Sequence, residues 1–250
     1  MAEGVHYLAQ QDPADVAWKL VASNMSDLAA KGAEPLGVLL GHVLGEGDDR
    51  FLEGLEAALT HYGAPLLGGD TIAATGPRVL GLTALGRATH RPVPSRAGAQ
   101  VGDGLWITGP VGAAMLGLEA LQRGEGDSLA YRRPQALLAE GRALAPQVSA
   151  MMDVSDGLLL DAARLARASG VTLAIDASAV PLAAPEARRA EALRWGEDYQ
   201  LLFTAPPGIV PPVAAHRVGA ALPPGKAPLL LDGAPLSEAD GLGYQHSILP

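Results

Sequence analysis

The sequence predicts a globular protein of the α/β or α+β class with mixed sheets. Short apolar runs of strand length alternate with segments whose apolar residues recur at helical spacing, and such alternation is typical of layered folds. The 250 residues are 48% hydrophobic, which is enough for one large or two modest cores. A Pro- and Arg-rich stretch, Arg87–Arg96, interrupts the alternation, and we take it as the linker between two parts of the chain.

The first part of the chain is predicted to contain helices at both ends of a long strand. Asp12 and Pro13 are typical of a helix start, and apolar spacing continues through Ala14–Ala22. Ser26 or Asp27 is expected to cap a following turn that ends near Gly32. The remaining elements are strands at Pro35–Leu44, Ala64–Leu67 and Val79–Gly86 and an amphipathic helix at Asp48–Tyr62.

The second part is predicted to alternate strands and helices without an internal repeat. Strands are expected at Gly104–Thr108, Val171–Ile175 and Tyr199–Thr204. Helices are expected at Ala113–Gln122, Pro134–Leu144 and Gly157–Ala168, the last of which ends before a Ser-Gly pair.

Composition narrows the classes of function. The formal net charge of −9 disfavours nucleic acid as a partner, because nucleic-acid binding draws on clustered Lys and Arg. No apolar run approaches the roughly 20 residues that span a bilayer, and no charged-then-apolar leader opens the sequence, so we expect a cytoplasmic protein without a membrane partner. The absence of cysteine excludes disulfides, thiolate metal sites and cysteine nucleophiles.

Aspartate recurs among small residues, usually where a helix begins. The three instances are Asn24-Met25-Ser26-Asp27, Gly68-Gly69-Asp70-Thr71 and Asp153-Val154-Ser155-Asp156-Gly157. Carboxylates on such turns hold Mg²⁺, which in turn holds nucleotide phosphates. Asp70 is expected at the carboxyl end of its strand, and Ser155 can offer a hydroxyl or amide to a phosphate. Each motif alone could equally be a helix cap or a turn; together they predict metal-assisted phosphoryl transfer.

Three further residues are candidates with weaker individual signals. His6 lies on an apolar stretch near the chain start, Glu197 precedes a strand, and Arg96 is a cation in the linker. Taken singly, each fits an ordinary surface or core position. The sequence contains no G-x-x-x-x-G-K-[ST] loop, protein-kinase motif or G-x-S-x-G, so carboxylate-held metal is the main chemical theme.

Seven segments, in this order along the chain, resemble the thiamine-monophosphate kinase family, which belongs to the superfamily of aminoimidazole ribonucleotide synthetase. They are Glu3-Gly4-Val5-His6-Tyr7, Asn24-Met25-Ser26-Asp27-Leu28-Ala29-Ala30 with Gly32-Ala33-Glu34-Pro35, Gly68-Gly69-Asp70-Thr71, Arg96-Ala97-Gly98-Ala99 with Gly102-Asp103, Asp153-Val154-Ser155-Asp156-Gly157-Leu158, Gly196-Glu197-Asp198-Tyr199-Gln200-Leu201 and Gly243-Tyr244-Gln245-His246. The resemblance covers nearly the whole chain.

This resemblance implies an ATP-dependent enzyme that phosphorylates thiamine monophosphate to thiamine diphosphate. It implies an N-terminal α/β domain, residues 1–90, that pairs with its twin in a homodimer, and a C-terminal α+β domain, residues 91–250. The residues it assigns are Asp27, Asp70, Asp153 and Asp156 for several Mg²⁺ ions, Gly69, Asp70, Arg96 and Ser155 for ATP, and His6, Glu197 and Tyr244 for thiamine monophosphate.

The sequence departs from the family pattern at its start. Family members carry a further N-terminal segment with a Gly-Asp-Asp type metal motif, so we expect an incomplete metal cluster and weak or absent kinase activity from these 250 residues. Ser247 stands where the family tends to have an aromatic residue. Three alternatives stay open: a related synthetase that makes an aminoimidazole or a selenophosphate, a non-catalytic protein that binds nucleotide or thiamine phosphate, and a structural dimer fragment.

Overall fold

A computed structural model describes residues 1–245, which form two β-sheets with helices packed against them. The helices are α1 (Pro13–Ala29), α2 (Asp48–Tyr62), α3 (Ala113–Arg123), α4 (Leu129–Arg132), α5 (Leu138–Leu144), α6 (Leu158–Ser169) and α7 (Arg189–Ala192). The strands are β1 (Ala33–Val43), β2 (Leu66–Ile72), β3 (Gly81–Ala88), β4 (Gly104–Ile107), β5 (Ala150–Asp153), β6 (Thr172–Ile175), β7 (Leu201–Ala205), β8 (His216–Leu222), β9 (Leu229–Leu231) and β10 (Ala234–Leu236). None of the described helices is long and apolar enough to cross a membrane.

Helices α1 and α2 cover one face of a three-stranded sheet of order β2-β1-β3. β1 pairs in parallel with β2 and antiparallel with β3. Val38 and Leu40 on the covered face are buried and belong to the same core as α1, whereas Leu39 between them is 41% exposed. This alternation shows that the opposite face of the sheet is open to solvent.

Helix α1 is longer than the sequence pattern predicts. The side chain of Asp12 accepts a hydrogen bond from the Ala14 amide and starts the helix as expected, but the helix then continues without interruption to Ala29. The prediction that Ser26 or Asp27 caps a separate turn is therefore wrong. The Ser26 hydroxyl instead donates to Asp153, and this tertiary contact lies on a face that stays buried to the helix end.

Strand β2 also differs from its prediction, which was a short buried strand at Ala64–Leu67. The observed strand runs to Ile72, and every residue in it is exposed. Gly68 and Gly69 lie inside the strand, so Asp70 is not at its carboxyl end as predicted. Both glycines have positive φ, and a Cβ on Gly69 would stand 1.9 Å from the Leu40 carbonyl oxygen of β1. Gly69 therefore serves close strand pairing here rather than a turn, whereas a Cβ on Gly68 would make only an ordinary contact of 3.8 Å with Leu39.

The second sheet has seven strands in the order β10-β9-β6-β8-β4-β7-β5. Helix α6 supplies Leu158–Leu160 and further apolar residues to its core. The sequence analysis did not predict β5, β8, β9 or β10. The helix predicted from Pro134 begins four residues later, at Leu138. Pro134 lies outside the helix, where its carbonyl accepts a hydrogen bond from the Trp18 indole.

The carboxyl end of α1 packs against the second sheet. Ala29 and Ala30 pack there with Leu144, Met151 and Phe203 of the second sheet and its helices. Residues 89–103, which include most of the predicted linker, contain no helix or strand. Helix α1 therefore touches both halves of the fold, and the candidate site lies along it.

Candidate active site

A cavity of about 540 Å³ gathers residues from distant parts of the sequence. Three of its lining side chains are the ones predicted to face the substrate: His6, Glu197 and Tyr244. Ser155 and Asp156, predicted for nucleotide and metal, lie in the same wall. The remaining lining residues are mostly apolar or aromatic and include Val5, Leu118, Trp195 and Tyr199. Such a mixture of apolar wall and few polar groups is typical of small-molecule sites.

Local backbone contacts bring these segments together. The Glu197 amide donates to the Ser155 carbonyl, and the Tyr244 amide donates to the Asp156 carbonyl at 2.8 Å. A Cβ on Gly196 would stand 2.3 Å from the Ser155 carbonyl oxygen, so only glycine allows this approach. Tyr244 is described, whereas His246, the last residue of the predicted motif, and Ser247 lie outside the described residues.

Asp153 ends β5 beside the last turn of α1. Its carboxylate accepts a hydrogen bond of 2.7 Å from the Ser26 hydroxyl and is 8% exposed. Burial, with a smaller contribution from the nearby Asp27 carboxylate, raises the pKa of Asp153 to about 6 against the lowering effect of Ser26. The pKa of Asp27 is also raised, because the surrounding protein limits its hydration even though the side chain is exposed.

The turn between β5 and α6 is held by a residue that the sequence analysis did not single out. Asp161 is fully buried and accepts hydrogen bonds from the amides of Ser155 and Asp156, at 3.0 and 2.9 Å. Burial raises the pKa of Asp161 to about 7. The expectation that the Ser155 amide is offered to a phosphate is thus wrong for this conformation, while its hydroxyl stays a candidate. The Asp156 carboxylate pairs with Arg164.

The other predicted nucleotide and metal residues are divided between two places. Arg96 is exposed and acts electrostatically on Asp27 together with Lys31. Asp70 pairs across the sheet with Gly41, which puts it on the open face of β2-β1-β3, opposite to α1. Gly69 lies beside it with its contact to β1. Within the described residues, Asp70 therefore lies on the other face of the sheet from α1, apart from the carboxylates of Asp27 and Asp153.

The chemistry of the Asp27–Asp153 region fits a hard cation in part. Two carboxylates share this region, and burial raises the pKa of both, against the lowering effect of Lys31 on each and of Arg96 on Asp27. Within residues 1–245, however, no group of three or more His, Asp or Glu side chains is positioned to hold one metal ion. A Mg²⁺ ion here would take further ligands from substrate phosphates, from water or from another chain. The metal roles of Asp27, Asp70, Asp153 and Asp156 stay predictions.

Both halves of the fold match known protein families. Residues 1–88 match the family model for the AIR synthase related protein N-terminal domain, and residues 100–216 match that for its C-terminal domain. The thiamine-monophosphate kinase of Salmonella typhimurium is 37% identical over 226 residues, which cover 82% of this chain and 69% of that protein. That of Leptospira interrogans is 31% identical and covers 98% and 87%. The chain belongs to the thiamine-monophosphate kinase family.

Solved structures agree with this family assignment. A structure described as AaThiL complexed with AMPPCP and TMP has a TM-score of 0.85 and 29% identity, and covers 94% of this chain and 82% of that one. The thiamine-monophosphate kinase of Stenotrophomonas maltophilia gives a TM-score of 0.85 at 30% identity, over 94% and 84% of the two chains. The chain is thus a kinase with the two-domain AIR synthase-related fold.

Two more charged residues contact the segments that form the cavity wall, and the sequence analysis named neither as functional. Lys19 of α1 pairs with Glu197 at 2.7 Å and is almost completely buried. Asp198 accepts hydrogen bonds from the amides of Gly112 and Ala114, so it caps the start of α3, and burial raises its pKa to about 6. The helical spacing of apolar residues in α1 could have shown that Lys19 lies on a buried face, since Val16 and Ala22 stand three residues before and after it.

Proposed function

We propose that the chain transfers the γ-phosphoryl group of ATP to the phosphate of thiamine monophosphate and so forms thiamine diphosphate and ADP. The observation that carries this proposal is the shared cavity. His6, Glu197 and Tyr244 come from the beginning, the last quarter and the end of the chain, yet they line one space with Ser155 and Asp156. A volume of about 540 Å³ lies in the range that holds small organic ligands.

The apolar wall suits the rings of the substrate. Tyr244 is 45% exposed at the cavity and offers an aromatic face for stacking against a heterocycle, and Trp195 adds a second aromatic surface. Glu197 supplies a carboxylate that can accept from an amino group on the substrate ring. We therefore assign the ring portion of thiamine monophosphate to this cavity.

The phosphate chemistry belongs at the neighbouring end of α1. The acceptor is itself a phosphate and is already nucleophilic, so the protein has to position and neutralise two anions rather than supply a strong base. We assign one Mg²⁺ ion to Asp27 and Asp153, where phosphate oxygens and water would supply its remaining ligands and the ion would screen the charge of the phosphates, and a further ion to Asp156. Arg96 and Lys31, which act electrostatically on Asp27, supply further positive charge. We infer direct in-line transfer without a phosphoenzyme.

The kinase is proposed to act as a homodimer through the open face of the first sheet. Leu39, Ile72 and Leu85 on β1, β2 and β3 are 41%, 52% and 43% exposed. A run of large apolar side chains across three paired strands is the kind of surface that another protein copy covers. Asp70 lies on this same face, so a second chain would change its surroundings. Because the reaction consumes ATP, the proposal places the enzyme in the cytoplasm.

A turnover assay tests the proposed reaction. The chain is mixed with ATP, Mg²⁺ and thiamine monophosphate, and thiamine diphosphate is quantified by chromatography, with thiamine in place of the monophosphate as the control acceptor. Product from the monophosphate alone is expected. Binding of thiamine monophosphate and an ATP analogue by calorimetry without any product would favour the non-catalytic binding protein instead. With a chiral γ-phosphorus we expect inversion, and retention would contradict direct transfer.

A further inference from the structure

Lys19 is a buried cation with three partners at the wall of the cavity. Its side chain is 1% exposed, and its Nζ lies 2.7 Å from Glu197 Oε1. The same ammonium donates to the His6 carbonyl oxygen at 3.0 Å and stands 3.6 Å from the centre of the Tyr131 ring. A buried ammonium is costly unless it is paired and hydrogen-bonded, so this arrangement has to be specified by the surrounding residues.

The partners of Lys19 belong to segments that are far apart in sequence. His6 precedes α1, Tyr131 lies in α4, and Glu197 is in the loop before β7. The Tyr131 hydroxyl also donates to the His6 carbonyl, at 3.3 Å. Both His6 and Glu197 line the cavity. One ammonium and one phenol therefore fix the two segments that present substrate-facing side chains.

The Glu197 loop needs such a restraint. Glu197 has φ 68° and Tyr199 has φ 50°, which are left-handed conformations that residues other than glycine rarely adopt. The main chain of this loop is tied to the β5–α6 turn, because the Glu197 amide donates to the Ser155 carbonyl and the Tyr199 amide to the Val154 carbonyl. The side chain of Glu197 is 25% exposed, so its carboxylate reaches the cavity while one of its oxygens pairs with the buried Lys19 ammonium.

We propose that Lys19 is a positioning residue for the substrate ring: it fixes the Glu197 carboxylate through one oxygen so that the other can accept from an amino-bearing, positively charged heterocycle. Thiamine monophosphate has both features, an aminopyrimidine and a thiazolium ring. This inference rests on the proposed function, because it concerns the same cavity. It assigns to Lys19 an effect on the ring portion of the substrate and none on ATP.

Calorimetry and kinetics on the full chain test the assignment. Lys19→Met keeps the length of the side chain and removes the charge, and Lys226→Met removes a lysine from an exposed loop as the matched control. Lys19→Met is expected to weaken thiamine monophosphate binding roughly ten-fold or more and to raise its KM similarly, with the KM for ATP changed by less than about two-fold. Lys226→Met is expected to change none of these values. Equal losses for both substrates would overturn the proposal.

A double-mutant cycle separates positioning from a general structural effect. If Lys19 acts through Glu197, adding Lys19→Met to Glu197→Gln should change the affinity for thiamine monophosphate by less than about three-fold. A full, additive loss in the double variant would contradict the proposal.

Tyr131→Phe removes only the hydroxyl bond to His6 and keeps the ring beside the ammonium, so it serves if Lys19→Met does not fold. It should weaken thiamine monophosphate binding about three-fold, and unchanged affinity would refute the proposal.

The two inferences fail in different ways. If the wild-type chain binds no thiamine monophosphate, both are overturned. If it binds the compound without turnover, the proposed reaction is wrong, and the dissociation constants of the variants still decide the role of Lys19. If wild type is active and Lys19→Met has the same affinity for thiamine monophosphate, only the Lys19 assignment is wrong.

Discussion

Replacing Asp153 by Asn is expected to stabilise the metal-free protein at neutral pH. Burial raises the pKa of Asp153 from 3.8 to about 6, with Asp27 adding to the effect. An acid whose pKa is raised by folding binds its proton more tightly in the folded state, so ionisation costs stability. The cost is absent below pH 4, grows as pH rises through the window from 4 to 6, and is complete above it. Two pKa units correspond to about 3 kcal/mol.

The Asn variant removes this cost without removing the contact to α1, because its side-chain oxygen can still accept from the Ser26 hydroxyl. We expect the free energies of unfolding of the two proteins to be similar at pH 4 and to diverge by about 2–3 kcal/mol in favour of Asp153→Asn at pH 7. Urea denaturation in EDTA, followed by tryptophan fluorescence at pH 4, 5, 6 and 7, measures this. A difference that does not change with pH would refute the reasoning.

Asp176→Asn is the control, because its effect on stability at neutral pH is expected to be opposite to that of Asp153→Asn. Hydrogen bonds from Ser178 lower the pKa of Asp176, so its ionised form stabilises the folded protein above pH 4 and that contribution is lost as the pH falls. The Asn variant should therefore be less stable than wild type at pH 7 and equal to it in acid.

Mg²⁺ is expected to reverse the difference in stability between wild type and Asp153→Asn. If the ion binds the ionised carboxylate, it stabilises wild type by RT ln(1 + [Mg²⁺]/Kd), about 2.7 kcal/mol at a hundred-fold excess over Kd, and stabilises Asp153→Asn much less. Equal Mg²⁺-dependent shifts of the unfolding midpoint in both proteins would rule out the proposed metal role of this residue.

Three other substitutions test separate parts of the molecule. Gly69→Ala should lower the urea midpoint strongly, since its Cβ would stand 1.9 Å from the Leu40 carbonyl oxygen; an unchanged midpoint would contradict this contact. Leu39→Glu should convert the proposed dimer to monomers in sedimentation analysis, whereas Val210→Glu, at another exposed apolar position, should leave it dimeric. Tyr244→Ala should raise the KM for thiamine monophosphate about ten-fold without changing that for ATP, and equal changes would exclude selective stacking.

Local sequence signals predicted the elements that depend on local physics. The helix Asp48–Tyr62 was predicted with its observed bounds, because its apolar spacing is regular and Gly63 closes it in a left-handed conformation. The strand at Gly104–Ile107 was close to its prediction for a similar reason, as it is a short apolar run between glycine-containing turns.

Elements that depend on tertiary contacts were predicted less well. Gly68 and Gly69 are typical of a turn, yet they lie inside β2, and at Gly69 the strand β1 approaches too closely for a side chain. The edge strands β5 and β10, and β9 beside β10, were missed, since they are only three or four residues long and gain their structure from neighbours in the sheet. Ser26 was assigned to a cap from its residue type, although its hydroxyl partner lies 127 positions away.

The same distinction applies to the site. The sequence motifs named His6, Glu197 and Tyr244, which the fold brings to one cavity, but they could not name the residues that hold those segments in place. Lys19 is buried and pairs with Glu197, which is distant in sequence, and Asp161 is buried and accepts from the amides of Ser155 and Asp156 without forming a recognised motif. Charged residues in apolar surroundings are the signal that could have found them, because burial of a charge requires a dedicated partner.

Helix α1 explains how one element can serve both halves of the proposed reaction. Lys19 and Ser26 are seven residues apart, so they lie on nearly the same face of the helix, separated by about 10.5 Å along its axis. Lys19 contacts Glu197 at the cavity, and Ser26 contacts Asp153 beside Asp27. The helix therefore sets the distance between the place for the substrate ring and the place for the phosphates. An insertion of one residue between Lys19 and Ser26 would rotate these contacts by about 100° and should abolish turnover even if the chain still folds.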